Sequence, residues 1–152
     1  MKKTLLFSIL FFLGMSLFAQ TDIEEEKEAI KKVINTAYLE WLQNEGDLEK
    51  IDSGIHPGFV LLGKGQGEAM WKLPINQWKD RVKERKAEGY YPRTGEDKIS
   101  INFKHIDVTG TAAMVKLEFF VGDTLTYVDY ISLYKFDGKW MMVNKIFYTF
   151  PK

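Results

Sequence analysis

The carboxylate with the most chemical promise is Asp129. If Asp137–Gly138 forms a two-residue hairpin loop, Leu133 lies opposite Met142, Ile131 opposite Asn144, Asp129 opposite Ile146 and Tyr127 opposite Tyr148. Side chains alternate along a strand, so these eight share one face. That face is apolar, extended by Trp140, with a polar inset of Asp129, Asn144 and the hydroxyls of Tyr127 and Tyr148. Burial would raise the pKa of such an aspartate and hydrogen bonds would lower it. It could serve as a general base, hold a ligand amide, or tie the sheet to a helix or loop.

A second candidate is His105. Across a turn at Thr109–Gly110 it would face Met114, with Glu118 on the same face two pairs further along. A His–Glu pair can move protons; the plainer reading is a partly exposed strand histidine. His56 precedes Pro57 and is expected to orient the opening of a strand. Two histidines and no cysteine give no strong zinc set, no thiol nucleophile and no disulfide. Gly63-Lys64-Gly65-Gln66-Gly67 lacks the Gly-Lys-Ser/Thr ending of a phosphate loop and reads as a flexible lip or a hairpin turn. No metal and no cofactor are therefore expected. Tyr38, Trp41, Phe59 and Trp78 lie on apolar stripes of three elements. They could wall a pocket for a flat ring or pack a core.

Elements that position these groups are legible. Ile30, Val33, Ile34, Ala37, Tyr38, Trp41 and Leu42 make a helical stripe within 22–44, and Glu24, Glu25, Glu26 and Glu28 suit its N-terminal dipole. Gly46 ends that helix and Asp47 caps a short second one through Ile51. Phe59 to Leu62 reads as a strand after the Pro57–Gly58 break. Ile75, Trp78 and Val82 mark a third helix behind Pro74, and 87–98 is loop. Four strands follow, at 99–108, 111–121, 125–136 and 139–150, with Asp137–Gly138 a strong hairpin signal. Helices first and an antiparallel meander after make an α+β fold, helices on a curved sheet. The opposite face of the last hairpin, with Val128, Tyr130, Ser132, Tyr134, Met141, Val143, Lys145 and Phe147, is also too apolar for open water, so a homodimer through the sheet is expected.

The chain of 152 residues suits one such domain. Lys+Arg and Asp+Glu balance at 21 each, which supplies no polyanion-binding stripe and argues against nucleic acid. Residues 1–20 read as a signal peptide: Lys2 and Lys3, an apolar run from Leu5 to Phe18, and a cut near Ala19–Gln20. That run makes about 21 Å of helix against a ~30 Å hydrocarbon core. Export to the periplasm or beyond is expected, with the domain over 21–152 and no membrane span after cleavage.

Gly46-Asp47, His56 to Phe59, and the terminal run from Asp129 to Phe147 with its Asp-Gly-x-Trp segment resemble the NTF2-like, or SnoaL-like, superfamily, in particular its putative lumazine-binding branch. The resemblance covers 24–150 and implies a cone-shaped barrel with a pocket between helices and bent sheet. Relatives include isomerases, dehydratases, cyclases and non-catalytic binders, so fold alone does not fix function. The ketosteroid isomerase pattern would place its base near Gly63 and its oxyanion acid near Ser132, with Tyr38 one position from the tyrosine site. Two of those three groups are missing. The sequence favours a non-catalytic binder of a small flat ligand, contacted by Tyr38, Trp41, Phe59, Trp78, Tyr127, Asp129, Asn144 and Tyr148. Two alternatives stay open: a SnoaL-like isomerase, dehydratase or cyclase using Asp129, His105 or Glu118, and a dimeric interaction module with a filled cavity.

Overall fold

The computed structural model describes residues 22–151; the leader expected over 1–20 lies outside the described residues. Helix α1 covers 22–45, regular over 22–33 and with π-type hydrogen bonding over Ile34–Glu45. Its buried stripe is Ile30, Ile34, Ala37, Tyr38 and Leu42. Gly46 closes it at φ 61, the left-handed conformation that favours glycine at a helix end. Asp47 then accepts from the Lys50 amide at 3.4 Å and caps α2, Leu48–Ile51.

Strands β1 (Ile55–Lys64) and β2 (Met70–Pro74) form a hairpin around the glycine-rich segment. The turn reading of that segment holds, while β2 itself was not expected. Helix α3 (Ile75–Ala87) follows Pro74 directly and buries Ile75 and Val82. The rest is β3 (Ile99–Thr109), β4 (Ala112–Val121), β5 (Thr124–Phe136) and β6 (Lys139–Thr149). The six strands run in the order β2-β1-β6-β5-β4-β3. All pairs are antiparallel except β1 with β6, which is parallel. The sheet curves around the helices and remains open, ending at β2 and β3, so the expected barrel does not close.

The core lies on the concave face, where Val115, Leu117, Ile131, Leu133, Trp140 and Met142 meet the α1 stripe. Close approach is secured at Gly54, where a Cβ would stand 2.6 Å from that of Ala37. His56 does orient the opening of β1: its Nδ1 accepts from the Gly58 amide at 3.0 Å, and its ring stacks on Phe136 at 4.6 Å.

Candidate functional site

The last hairpin decides the site. Its tight loop forms as expected, with Asp137 and Gly138 both at positive φ and Phe136 opposite Lys139. Leu133 faces Met142, also as expected, but the next pair is Ser132 with Asn144. Val143 is an extra residue, a β-bulge, and from there on every β6 side chain changes face. Asp129 therefore lies opposite Phe147, and Tyr127 opposite Thr149. Lys145 and Phe147 turn inward in place of Asn144, Ile146 and Tyr148.

What gathers around Asp129 is thus different from the expected inset. Tyr38 of α1 donates its hydroxyl to Asp129 Oδ2 at 2.7 Å. Lys145 of β6 donates to the same oxygen at 2.8 Å and to Tyr38 Oη at 2.7 Å. Tyr38 and Asp129 are fully buried and Lys145 is 5% exposed. Asp129 Oδ1 is also buried, with no hydrogen-bond partner among the described residues. Four rings enclose the Lys145 ammonium: Tyr38, Phe147, Phe119 and Trp78, at 5.1 to 5.9 Å from Nζ. Aromatic faces attract a cation. Burial works against it and pulls the Lys145 pKa below the ordinary lysine range, opposed by the Asp129 carboxylate. Burial, then the negative charge of Asp129, pushes the Tyr38 hydroxyl well above its ordinary value, so Tyr38 stays protonated and donating.

Lys145 and Tyr38 reach the wall of a cavity of ≈ 450 Å³ between α1, α3 and the sheet. A volume of this order suits a small organic ligand. Trp71, Trp78, Phe119, Tyr127 and Phe147 supply much of its apolar wall. Trp71 lies across from Gly63, and a Cβ on Gly63 would stand 2.0 Å from its ring. The bare glycine that leaves no isomerase base is what seats this tryptophan.

Of the expected contacts, Tyr38, Trp78 and Tyr127 line the cavity and Asp129 backs it. Phe59 is core, 6.1 Å from Trp78, and Trp41 packs on the core beside Lys50. Asn144 instead donates to the Val60 carbonyl at 2.8 Å, and Tyr148 is 56% exposed on the outer face. The bulge accounts for both. His105 and Glu118 also lie away from the cavity. The turn is one residue later than expected, Thr109 opposite Ala112, and Lys104 is bulged. His105 therefore faces Lys116, while Glu118 accepts from Asn102 at 3.1 Å and pairs with Lys104 at 3.4 Å.

Sequence reasoning missed Lys145, whose signal was a lysine alternating with Met141, Val143 and Phe147 in an otherwise apolar row. It also missed Arg81, Arg85 and Arg93, which line the cavity from α3 and the following loop.

Comparisons with known proteins converge on this fold. The sequence profile described as "Putative lumazine-binding" matches residues 25–148. Over 123 residues the chain is 31% identical to "Aldolase FrzH" from Cladobotryum sp, covering 79% of this chain and 90% of that one. A crystal structure of an NTF2-like protein of unknown function from Shewanella baltica OS155 superposes with TM-score 0.67 at 23% identity, over 84% of this chain and 96% of the other. A second, from Silicibacter pomeroyi DSS-3, gives 0.66 at 15% identity, over 84% and 98%.

Proposed function

This chain belongs to the putative lumazine-binding family, with the NTF2-like fold, and we propose that it is a pocket enzyme whose Lys145 amine condenses with the carbonyl group of a small organic substrate. The observation that carries this is Lys145 lining the cavity while its buried Nζ is hydrogen-bonded to Tyr38 and Asp129. A lysine becomes a nucleophile when desolvation lowers its pKa and frees its lone pair. The similarity to a protein named an aldolase supports the same chemistry, because an imine on lysine is one way to activate a carbonyl compound for carbon–carbon bond making or breaking.

The proton inventory closes within the triad. Asp129, 2.8 Å from Nζ, takes one proton from the ammonium. The freed amine adds to the carbonyl carbon, and the resulting carbinolamine loses its hydroxyl with the proton returned by Asp129. Ammonium plus carbonyl becomes iminium plus water, with no proton gained or lost overall. Tyr38 holds the developing oxygen or the amine by hydrogen bonding. The aromatic walls receive the rest of the substrate and limit water.

Incubation with methyl pyruvate, a neutral ketone, and sodium cyanoborohydride tests the reading. The expected result is a single reductive adduct on the peptide holding Lys145, formed ahead of adducts on exposed lysines. It should vanish in Lys145→Met, checked for folding by circular dichroism. Labelling spread over exposed lysines with Lys145 untouched would leave the triad a purely structural link.

A second reading concerns assembly. Met114, Tyr134, Phe136, Ile146 and Tyr148 are exposed on the convex sheet side, and the bulge adds Ile146 and Tyr148 to that side. We infer that two copies pair through this face, since exposed apolar patches mark interfaces. Light scattering at micromolar protein should give the dimer mass, and Ile146→Lys with Tyr148→Glu should halve it. A monomer of the unaltered chain would remove the proposal.

A further inference from the structure

The sequence has only three arginines, Arg81, Arg85 and Arg93, and all three line the cavity that holds Lys145. Every other permanent cation of the chain is lysine. Lysine and arginine carry the same charge, but only the guanidinium offers a planar fork that matches two oxygens of one anion. Arg93 is half-buried at the cavity, while Arg81 and Arg85 project from α3 with solvent contact.

Arg81 and Arg85 are one helical turn apart on α3, so their side chains emerge on the same side. Arg93 comes from the loop after α3, which is fastened on both sides. Its amide donates to the Asn44 carbonyl at 2.7 Å, and Asn44 in turn exchanges side-chain hydrogen bonds of 2.9 and 3.0 Å with the backbone of Ile99. The Arg93 guanidinium rests over the Tyr91 ring at 5.6 Å, and Tyr91 packs against Gly46 at the end of α1. Arg93 Nε is buried without a hydrogen-bond partner among the described residues. A buried donor left unmade is costly, and an arriving acceptor removes that cost.

Charge balance at the wall points the same way. Among the described residues, four cations line the cavity, the three arginines and Lys145, and none of the lining residues is acidic. Asp129, behind the wall, is committed to Lys145 and Tyr38. Glu88 and Asp97 border the adjoining groove with Arg85 and Arg93, yet no arginine forms an ion pair with a carboxylate among the described residues.

We propose that the carbonyl substrate carries an anionic group, a carboxylate or a phosphate, held by Arg81, Arg85 and Arg93 while its carbonyl faces Lys145. The inference rests on the imine reading for what happens at Lys145, and on the arginines alone for the anion. Such a grip orients the substrate and gives a weak amine attack a high effective concentration. It also selects against neutral carbonyl compounds.

The test compares matched probes on the full folded domain. Pyruvate is set against methyl pyruvate, and dihydroxyacetone phosphate against dihydroxyacetone, each with cyanoborohydride. One anionic probe should modify Lys145 at a concentration at least about tenfold below its neutral counterpart, the size expected of one hydrogen bond to a charge. Whichever pair shows the gap identifies the anion as carboxylate or phosphate. Arg93→Gln, and Arg81→Gln with Arg85→Gln, should close the gap, read within each variant as the ratio of anionic to neutral labelling. Equal labelling by charged and neutral probes, or a gap indifferent to the arginine changes, overturns the anion site and leaves the Lys145 chemistry standing. If Lys145 takes no probe at all, calorimetry with pyruvate and inorganic phosphate decides separately: binding lost in Arg93→Gln upholds the anion site without the imine, and no binding ends it.

Discussion

Helix α1 is tied to the β5–β6 hairpin in two places, and both ties use a carboxylate, a lysine and an aromatic donor. Near the hairpin tip, Glu26 of α1 accepts from Lys135 of β5 and from the Trp140 indole of β6. Deeper in, Asp129 of β5 accepts from Tyr38 of α1 and Lys145 of β6. The parts match; the surroundings do not. Glu26 and Lys135 keep contact with water, and the Glu26 pKa is lowered mainly by its hydrogen bonds to Lys135 and Trp140. At the inner tie burial is the leading influence, and it pulls the Lys145 pKa down despite the adjacent carboxylate. A hydrated ion pair fastens two elements at low stakes. The same pair without water is under strain of another kind, because desolvation weighs against the ammonium's charge.

Breaking each tie should separate these roles. Asp129→Ala strands a buried ammonium and is expected to cost about 3–5 kcal/mol, read as a drop in the urea midpoint. Replacing the pair together, Asp129→Leu with Lys145→Met, should recover most of that loss and retain no imine labelling. If the double change stays as unstable as the single one, the inner tie is chiefly an architectural link. Glu26→Gln should cost no more than about 1 kcal/mol, shrink further in high salt, and leave Lys145 labelling untouched.

Acidity sharpens the contrast with opposite signs. The folded pKa of Glu26 lies below its unfolded value, so its contribution is present above the ordinary carboxylate range and is lost as pH falls through the folded value. For Lys145 the folded pKa lies below the unfolded one, so the unfolded chain binds more protons between the two. Its burial cost is present at neutral pH and is relieved as pH rises towards 10.5. Urea unfolding of Glu26→Gln and Lys145→Met across pH, each against the unaltered chain, should show the acidic loss cancelled in the first and the alkaline gain cancelled in the second.

Local chemistry made much of the fold legible. The α1 stripe, the Gly46 stop, the Asp47 cap and the Asp137–Gly138 loop each follow from residues within a few positions of one another, and each forms as the sequence dictates. The inward position of Asp129 and the buried place of Tyr38 were legible too, because a carboxylate in an apolar row needs partners. Its actual partner was not, since nothing about Met-Met-Val-Asn at 141–144 signals an extra residue. A bulge answers to how the whole sheet bends, and that is settled by contacts far away in sequence. The arginines were hidden for a related reason: Arg81 and Arg85 look like ordinary solvated helix charges until the loop carrying Arg93 folds beside them.

The extra residue at Val143 has one more consequence. Beyond it, Lys145 and Phe147 line the chamber while Ile146 and Tyr148 look out. Drawing Val143 into the regular ladder with no residue lost would transpose the two sets, bringing an amide and a phenol inside and turning the amine out, whereas deleting that position would keep Asn144 opposite Ser132 and Lys145 opposite Ile131. A one-codon deletion at this point is therefore expected to straighten β6 while leaving the same side chains facing inward.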